Sequence, residues 1–263
     1  MTVLTQLLAD LASGAVDVVD LTSPLWEHTP VIHLPPPFAN TKRFSRTVVS
    51  RYDERGPAWF WHDLELGEHV GTHFDAPIHW ITGRDGLDVA SIPLRHLIAP
   101  AVVIDKRAEC AQNPDFLLEV DHVEAWQREH GPLPEGGWLL FRTGWSERAQ
   151  DEAAFSNRDA QGSHTPGVSV ACARWLAQQT PIVGIGVETV GTDAGMAARF
   201  DPPFPVHHYF LGAGKYGITQ LRQLDRLPPT GSLLVVAPLP IVGGTGSPTR
   251  VLALVPRSGG IPG

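Results

Sequence analysis

Cysteine is scarce in this sequence. Its 263 residues hold two, Cys110 and Cys172, far apart and in no CxxC pair. That excludes a disulfide framework and points to a reduced, cytoplasmic protein. Neither cysteine has a base beside it in sequence, so nucleophilic thiol catalysis is a poor candidate. Basic charge is also short, with 20 Lys and Arg against 28 Asp and Glu and a net charge of −8. This argues against nucleic acid or an anionic membrane surface as the partner. No apolar run approaches the ~18–20 residues that span a bilayer. The opening "MTVLTQLLADLASGAVDVVD" carries Asp10 and no early Lys or Arg, so no secretory signal is expected. A GxSxG elbow is missing, which removes a serine hydrolase of that type. The glycines of "GIGVETVG" (184–191) miss the GxGxxG spacing, so no dinucleotide site is expected. There is no repeat, low-complexity tract or composition break.

What remains is a chain with 43% hydrophobic residues, enough for a sizeable core. "VLTQLLADLASG" has apolar residues at helical spacing, with Gly14 as its C-cap, and "VDVVDLT" reads as a strand. Prolines 24, 30, 35, 36 and 37 make 23–40 an extended loop. "RFSRTVVSRY", "AWFWHDLEL", "LIAPAVVIDK", "GWLLFRTGW" and "PIVGIGV" read as strands. "LLEVDHVEAWQREHG" reads as a helix with Asp121 as N-cap and Gly131 at its end. "SVACARWLAQQ" is a second helix, and "ITQLRQL" a short third one. The tail holds two strands joined by a Gly-rich turn at 243–246. Strands and helices mix along the whole length, so one α/β domain spanning 1–263 is expected. Glu188 is expected in a solvated loop, and Asp193, in a Gly-flanked turn, as a cap of backbone N–H groups.

The chemistry concentrates in "GEHVGTHFDAPIHW" (67–80), which holds three histidines and an aspartate. Gly71, the β-branched Thr72 and Pro77 speak against a helix here. In an extended backbone His73 and Asp75 point the same way, and a turn at Gly71 brings His69 back beside them. Two imidazoles and a carboxylate form a facial set for Zn²⁺, Mn²⁺ or Fe²⁺ with open positions. His79, held off by Pro77, then serves as a general base beside the ion. Trp59, Trp61 and Trp80 are candidate walls for a flat aromatic substrate.

"HVGTHFDAPIHW" resembles the HxGTHxDxPxH motif of the cyclase family, which includes bacterial kynurenine formamidases and isatin hydrolases. "VVDLTSPL", "LLFRTGW", "HTPGVS", "GTDAG" and "GTGSPTRVLAL" resemble further family landmarks in order, so the likeness covers nearly the whole chain. The motif and "GTDAG…DPPFPVHH" are most similar to the isatin hydrolase branch. The resemblance implies a swivelling β/β/α fold, a homodimer, and metal-dependent opening of a cyclic amide, isatin to isatinate, in a small aromatic substrate. The alternative within the family is hydrolysis of N-formylkynurenine; the alternative outside it is a binding protein whose metal only staples a loop. The resemblance places metal ligands at His69, His73 and Asp75 and the acid/base at His79. In formamidases a downstream histidine and glutamate hold a second metal; here they correspond to His207 or His208 and to Gln220. A neutral amide is a weak ligand for a hard dication, so one divalent ion is expected, Mn²⁺ ahead of Zn²⁺, with His207 and Gln220 orienting water or substrate.

Overall fold

The computed structural model describes residues 2–34 and 37–257, so Pro35 and Pro36 of the proline-rich loop lie outside the described residues. Helix α1 (Val3–Ser13) opens on Thr2, whose hydroxyl accepts from the Thr5 N–H, and closes on Gly14 at φ 75°. Both caps satisfy backbone groups that a helix end leaves unpaired. Strand β1 (Val16–Asp20) follows. After the loop come β2 (Ser45–Asp53) and β3 (Gly56–Glu65), an antiparallel ribbon that pairs only with itself. The other strands of the main sheet are β4 (His73–Asp75), β5 (Ile98–Asp105), β6 (Trp138–Arg142), β7 (Gly184–Val187), β8 (Tyr216–Thr219), β9 (Ser232–Pro238) and β10 (Gly246–Pro256). Helix α2 (Val120–His130) crosses over between β5 and β6, and α3 (Val170–Gln179) between β6 and β7.

These strands close on themselves. Strands β5, β6, β7 and β8 run parallel in that order. Strand β9 continues the sheet beyond β5, and β10 beyond β9, both antiparallel. The three-residue β4 then pairs antiparallel with β8 on one side and β10 on the other. Seven strands form a ring, and β1 extends it beside β10. Closure removes the unpaired edges an open sheet would leave.

Alternation along the strands fills the two faces. Ala99, Ala101 and Val103 of β5 and Trp138 and Leu140 of β6 pack inside the ring. Their neighbours Val102, Ile104, Leu139 and Phe141 point outward, onto Val123 and Trp126 of α2 and Cys172 and Leu176 of α3. Phe74 is fully buried inside, with ring centroids 6.2 Å from Trp138 and 5.3 Å from Tyr216. Burying a phenyl ring is worth about 1.5–3 kcal/mol, so Phe74 fixes which face of β4 turns inward. His73 and Asp75 are thereby turned out.

Three expectations change. The cap of α2 is Glu119, in a reciprocal box with His122, and Asp121 lies within the first turn; the backbone is still extended at Glu119 (φ −107°, ψ 163°). "ITQLRQL" is not one helix. Thr219 ends β8, Gln220 adopts φ 53°, and only Leu224–Arg226 makes a 3₁₀ turn. Its apolar residues, Ile218, Leu221 and Leu224, reach the core from a strand and a bend instead. Glu188 is buried and not solvated. It accepts from the Thr143 and Gly144 N–H groups, both at 2.6 Å, and from Ser146 Oγ at 2.8 Å, stapling the end of β7 to the loop after β6. Burial pushes its carboxyl up despite those donors. Among the described residues no helix is long and apolar enough to cross a membrane.

Candidate metal centre

The centre is built on the outward face of β4. Two glycines make room for it. Gly217 of β8 and Gly246 of β10 stand on either side of Asp75 in the register. A Cβ at Gly217 would lie 2.9 Å from Asp75 Oδ2, and one at Gly246 would lie 2.6 Å from His69 Cε1. Gly71, at φ 66°, supplies the turn that returns His69 to Asp75. After Ala76, Pro77 opens a 3₁₀ turn over Pro77–His79, which lays His79 on His69 with ring centroids 3.9 Å apart.

Ligand atoms of His69, Asp75 and His79 lie within 4.8 Å of one another. His69 Nδ1 is 2.8 Å and His73 Nε2 3.4 Å from the same oxygen, Asp75 Oδ1. His73 Nδ1 is 2.8 Å from the Gly71 carbonyl, which only accepts, so His73 carries its proton on Nδ1 and turns a bare Nε2 toward Asp75. The Thr219 hydroxyl sits against the same ring edge, 2.9 Å from Nδ1. Electron-rich nitrogen and oxygen atoms thus converge without a proton between His73 and Asp75. That donor set fits a divalent cation of the Zn²⁺ or Mn²⁺ class.

The electrostatics separate the histidines. Burial pushes His73 down to about 4 and His79 to about 3, in both cases against the attraction of Asp75. Burial pushes the Asp75 carboxyl up, but His73 and His69 beside it outweigh this and hold it well below the usual carboxylate range. His207 goes the other way: despite burial, the hydrogen bond and charge of Asp193 raise it above its ordinary value. Its Nδ1 is 2.5 Å from Asp193 Oδ2, while Asp193 also accepts from the Val206 N–H at 2.7 Å. Asp193 therefore caps backbone, as expected, and holds His207 as well.

Of the two adjacent histidines, His207 faces the centre, 5.6 Å from His79 and 4.9 Å from Trp80 between ring centroids. The His208 ring packs on Tyr209. Trp80 lies edge-on to Phe204 and walls this side. Gln220 is buried, and its side-chain nitrogen donates to the Pro30 carbonyl at 3.2 Å. It lines a cavity of about 410 Å³ shared with Ser23, Glu188 and Arg222. Trp59 and Trp61 are not beside the histidines. They sit half exposed on the β2–β3 ribbon, where the Trp59 indole lies over Gly56. Cys110 and Cys172 are free and buried, each thiol pushed up to about 12 by burial.

Comparison with known proteins gives the chain a family. The family model "Putative cyclase" matches residues 19–194, and the chain belongs to that family. It is 47% identical to an isatin hydrolase of Roseibium aggregatum over 258 residues, covering 97% of this chain and 98% of the relative. A solved isatin hydrolase bound to the product analogue thioisatinate superposes with a TM-score of 0.95 at 46% identity, covering 98% of this chain and all of that one. A kynurenine formamidase of Salinibacter ruber is more distant, 30% identical over 72% of this chain and 77% of its own length.

Residue patterns had not disclosed three partners: Asp193 behind His207, and Gly217 and Gly246 beside Asp75. The glycines leave no periodic signal. Asp193 is marked only by its place in "GTDAG".

Proposed function

We propose that this protein is a metal-dependent hydrolase, one domain spanning 1–263, that opens isatin to isatinate. The near full-length likeness to isatin hydrolases carries the substrate. The converging donors of His69, His73 and Asp75 support a divalent ion at that point, which we take as a single one, Mn²⁺ ahead of Zn²⁺. When bound, such an ion supplies Lewis-acid polarisation of the carbonyl and acidifies water.

The chain's own residues then divide the proton work. Position and partners assign the histidine roles. His79, stacked on His69 with ring centroids 3.9 Å apart, stands beside the ion's position and takes a proton from the attacking water. The water oxygen bonds to the lactam carbonyl carbon, the carbon–nitrogen bond breaks, and His79 returns its proton to the leaving nitrogen. The carboxylic acid so formed ionises and releases one proton. His207, biased toward the charged form by Asp193, orients the substrate oxygen or its water as a donor. Gln220 is assigned to orient water in the cavity it lines. Trp80 walls the flat ring.

The chain is further read as a cytoplasmic homodimer. Two buried free thiols support a reducing compartment. The β2–β3 ribbon exposes Tyr52, Trp59, Trp61 and Leu64, and a two-stranded ribbon alone is marginal in water.

The decisive experiment assays isatin and N-formylkynurenine side by side, with chelated protein and after Mn²⁺ or Zn²⁺ return. Metal-dependent turnover of isatin, with far slower formamide hydrolysis, is expected. Full activity after chelation overturns the metal, and turnover of the formamide alone overturns the substrate.

A further inference from the structure

The two nitrogens of His69 face different partners. Nδ1 is 2.8 Å from Asp75 Oδ1, and Nε2 is 2.8 Å from the hydroxyl of Thr245. Thr245 is in turn held by Glu68, whose Oε2 lies 2.6 Å from the hydroxyl and 3.2 Å from the Thr245 N–H. A threonine hydroxyl has one proton to give. A carboxylate oxygen accepts it, so that proton is spent on Glu68. Toward His69, Thr245 Oγ then has only lone pairs to offer, and the proton between them belongs to Nε2. As a metal ligand His69 is a neutral imidazole, which carries one N–H. His69 therefore presents a bare Nδ1 to Asp75, an acceptor against an acceptor at 2.8 Å, which is completed by a cation.

We propose that Glu68 and Thr245 are positioning residues that lock His69 in the tautomer whose Nδ1 is a metal ligand. The surroundings fix the relay in place. The Thr245 carbonyl accepts from the Ala76 N–H at 3.0 Å, tying it to the residue that follows Asp75. Gly246, next in sequence, leaves the space the His69 ring occupies. Metal-ligating histidines commonly spend their second nitrogen on such an outer partner, and loss of that partner weakens metal binding ~10–100-fold. The proposal rests on the reading of His69 as a ligand.

The test pairs two readouts on the full chain: long-range ¹H–¹⁵N correlation on ¹⁵N-histidine-labelled protein loaded with diamagnetic Zn²⁺, and calorimetric titration with Mn²⁺. His69 is assigned by loss of its signals in His69→Asn. Wild type and Thr245→Ser should show the Nε2–H form. Thr245→Val should lose that preference and bind Mn²⁺ ~10–100-fold more weakly, with Thr245→Ser within about threefold of wild type. Glu68→Gln should weaken binding too, and the double variant Glu68→Gln/Thr245→Val should be no weaker than Thr245→Val, since the two act as one unit. An Nδ1–H tautomer in wild type, unchanged affinity in folded Thr245→Val, or additive losses each overturn the relay. If wild type binds neither Mn²⁺ nor Zn²⁺, the metal reading falls and the relay with it; if it binds them and folded Thr245→Val matches wild type, the relay alone falls.

Discussion

Gly246→Ala is the sharpest test of how the centre is held. The added Cβ would lie 2.4 Å from the Phe74 carbonyl oxygen and 2.6 Å from His69 Cε1, about 1 Å short of ordinary contact. Phe74 has little room to yield, because β4 is paired on both sides and its ring is fully buried. Either β10 and β4 part or His69 swings away from Asp75. Overpacking of this kind costs about 1–3 kcal/mol, and a broken ladder bond adds about 1 kcal/mol. A total of about 2–4 kcal/mol is therefore expected as a lower urea midpoint, followed by tryptophan fluorescence. A misplacement of ~1 Å at a reacting centre costs on the order of 100-fold in rate, read from isatin ring opening by absorbance. Gly217→Ala differs in kind: its Cβ meets the side-chain atoms Asp75 Oδ2 and Thr192 Cγ2, both at 2.9 Å. These can give, so stability should fall less than in Gly246→Ala while metal affinity still drops. Gly191→Ala, where a Cβ meets nothing within 4 Å, is the neutral control. An unchanged midpoint with activity within twofold in Gly246→Ala would refute the packing argument.

His79→Ala should keep its metal by elemental analysis and lose ~10²–10⁴-fold in kcat; loss of the metal would make His79 a ligand instead. The metal-free protein should lose stability in acid. His73 and His79 stand at about 4 and about 3, below their ordinary 6.5, so between pH 6.5 and about 4 the unfolded chain binds more protons. Their contribution is full above 6.5 and declines as pH falls through that window, by about 1.4 kcal/mol per pH unit for each ring. Urea unfolding at several pH values should show a slope shallower by about that amount in His79→Ala, and an equal slope contradicts it. Trp59→Ser with Trp61→Ser should convert a dimer to a monomer in light scattering; a wild-type chain already monomeric sinks the dimer reading.

Local signals carried a good part of this far. The glycine caps of α1 and α2, the outward pairing of His73 with Asp75 and the turn at Gly71 follow from spacing and φ preference within a few residues. Ring closure does not, because β4 finds its partners through contacts such as Thr219–His73, 146 residues apart. The link between Thr245 and His69 spans 176 residues, and no periodicity announces it. "ITQLRQL" shows the opposite failure: apolar spacing that suits a helix is satisfied equally by a strand end and a left-handed bend at Gln220. The aromatic chemistry of Trp59 and Trp61 suits pocket walls, whereas their place on a ribbon away from the histidines is a matter of tertiary structure.

The strand that closes the ring is also the one that carries His73 and Asp75, and this bears on when the centre exists during synthesis. Its neighbours β8 and β10 lie at 216–219 and 246–256, near the end of the chain. Long-range pairings of this kind form late, since loop closure precedes any gain from contact. The span 19–194 that marks the family holds all the motif histidines but neither neighbouring strand. A nascent or truncated chain of that length carries the ligands without a site, so metal capture should coincide with completion of the barrel.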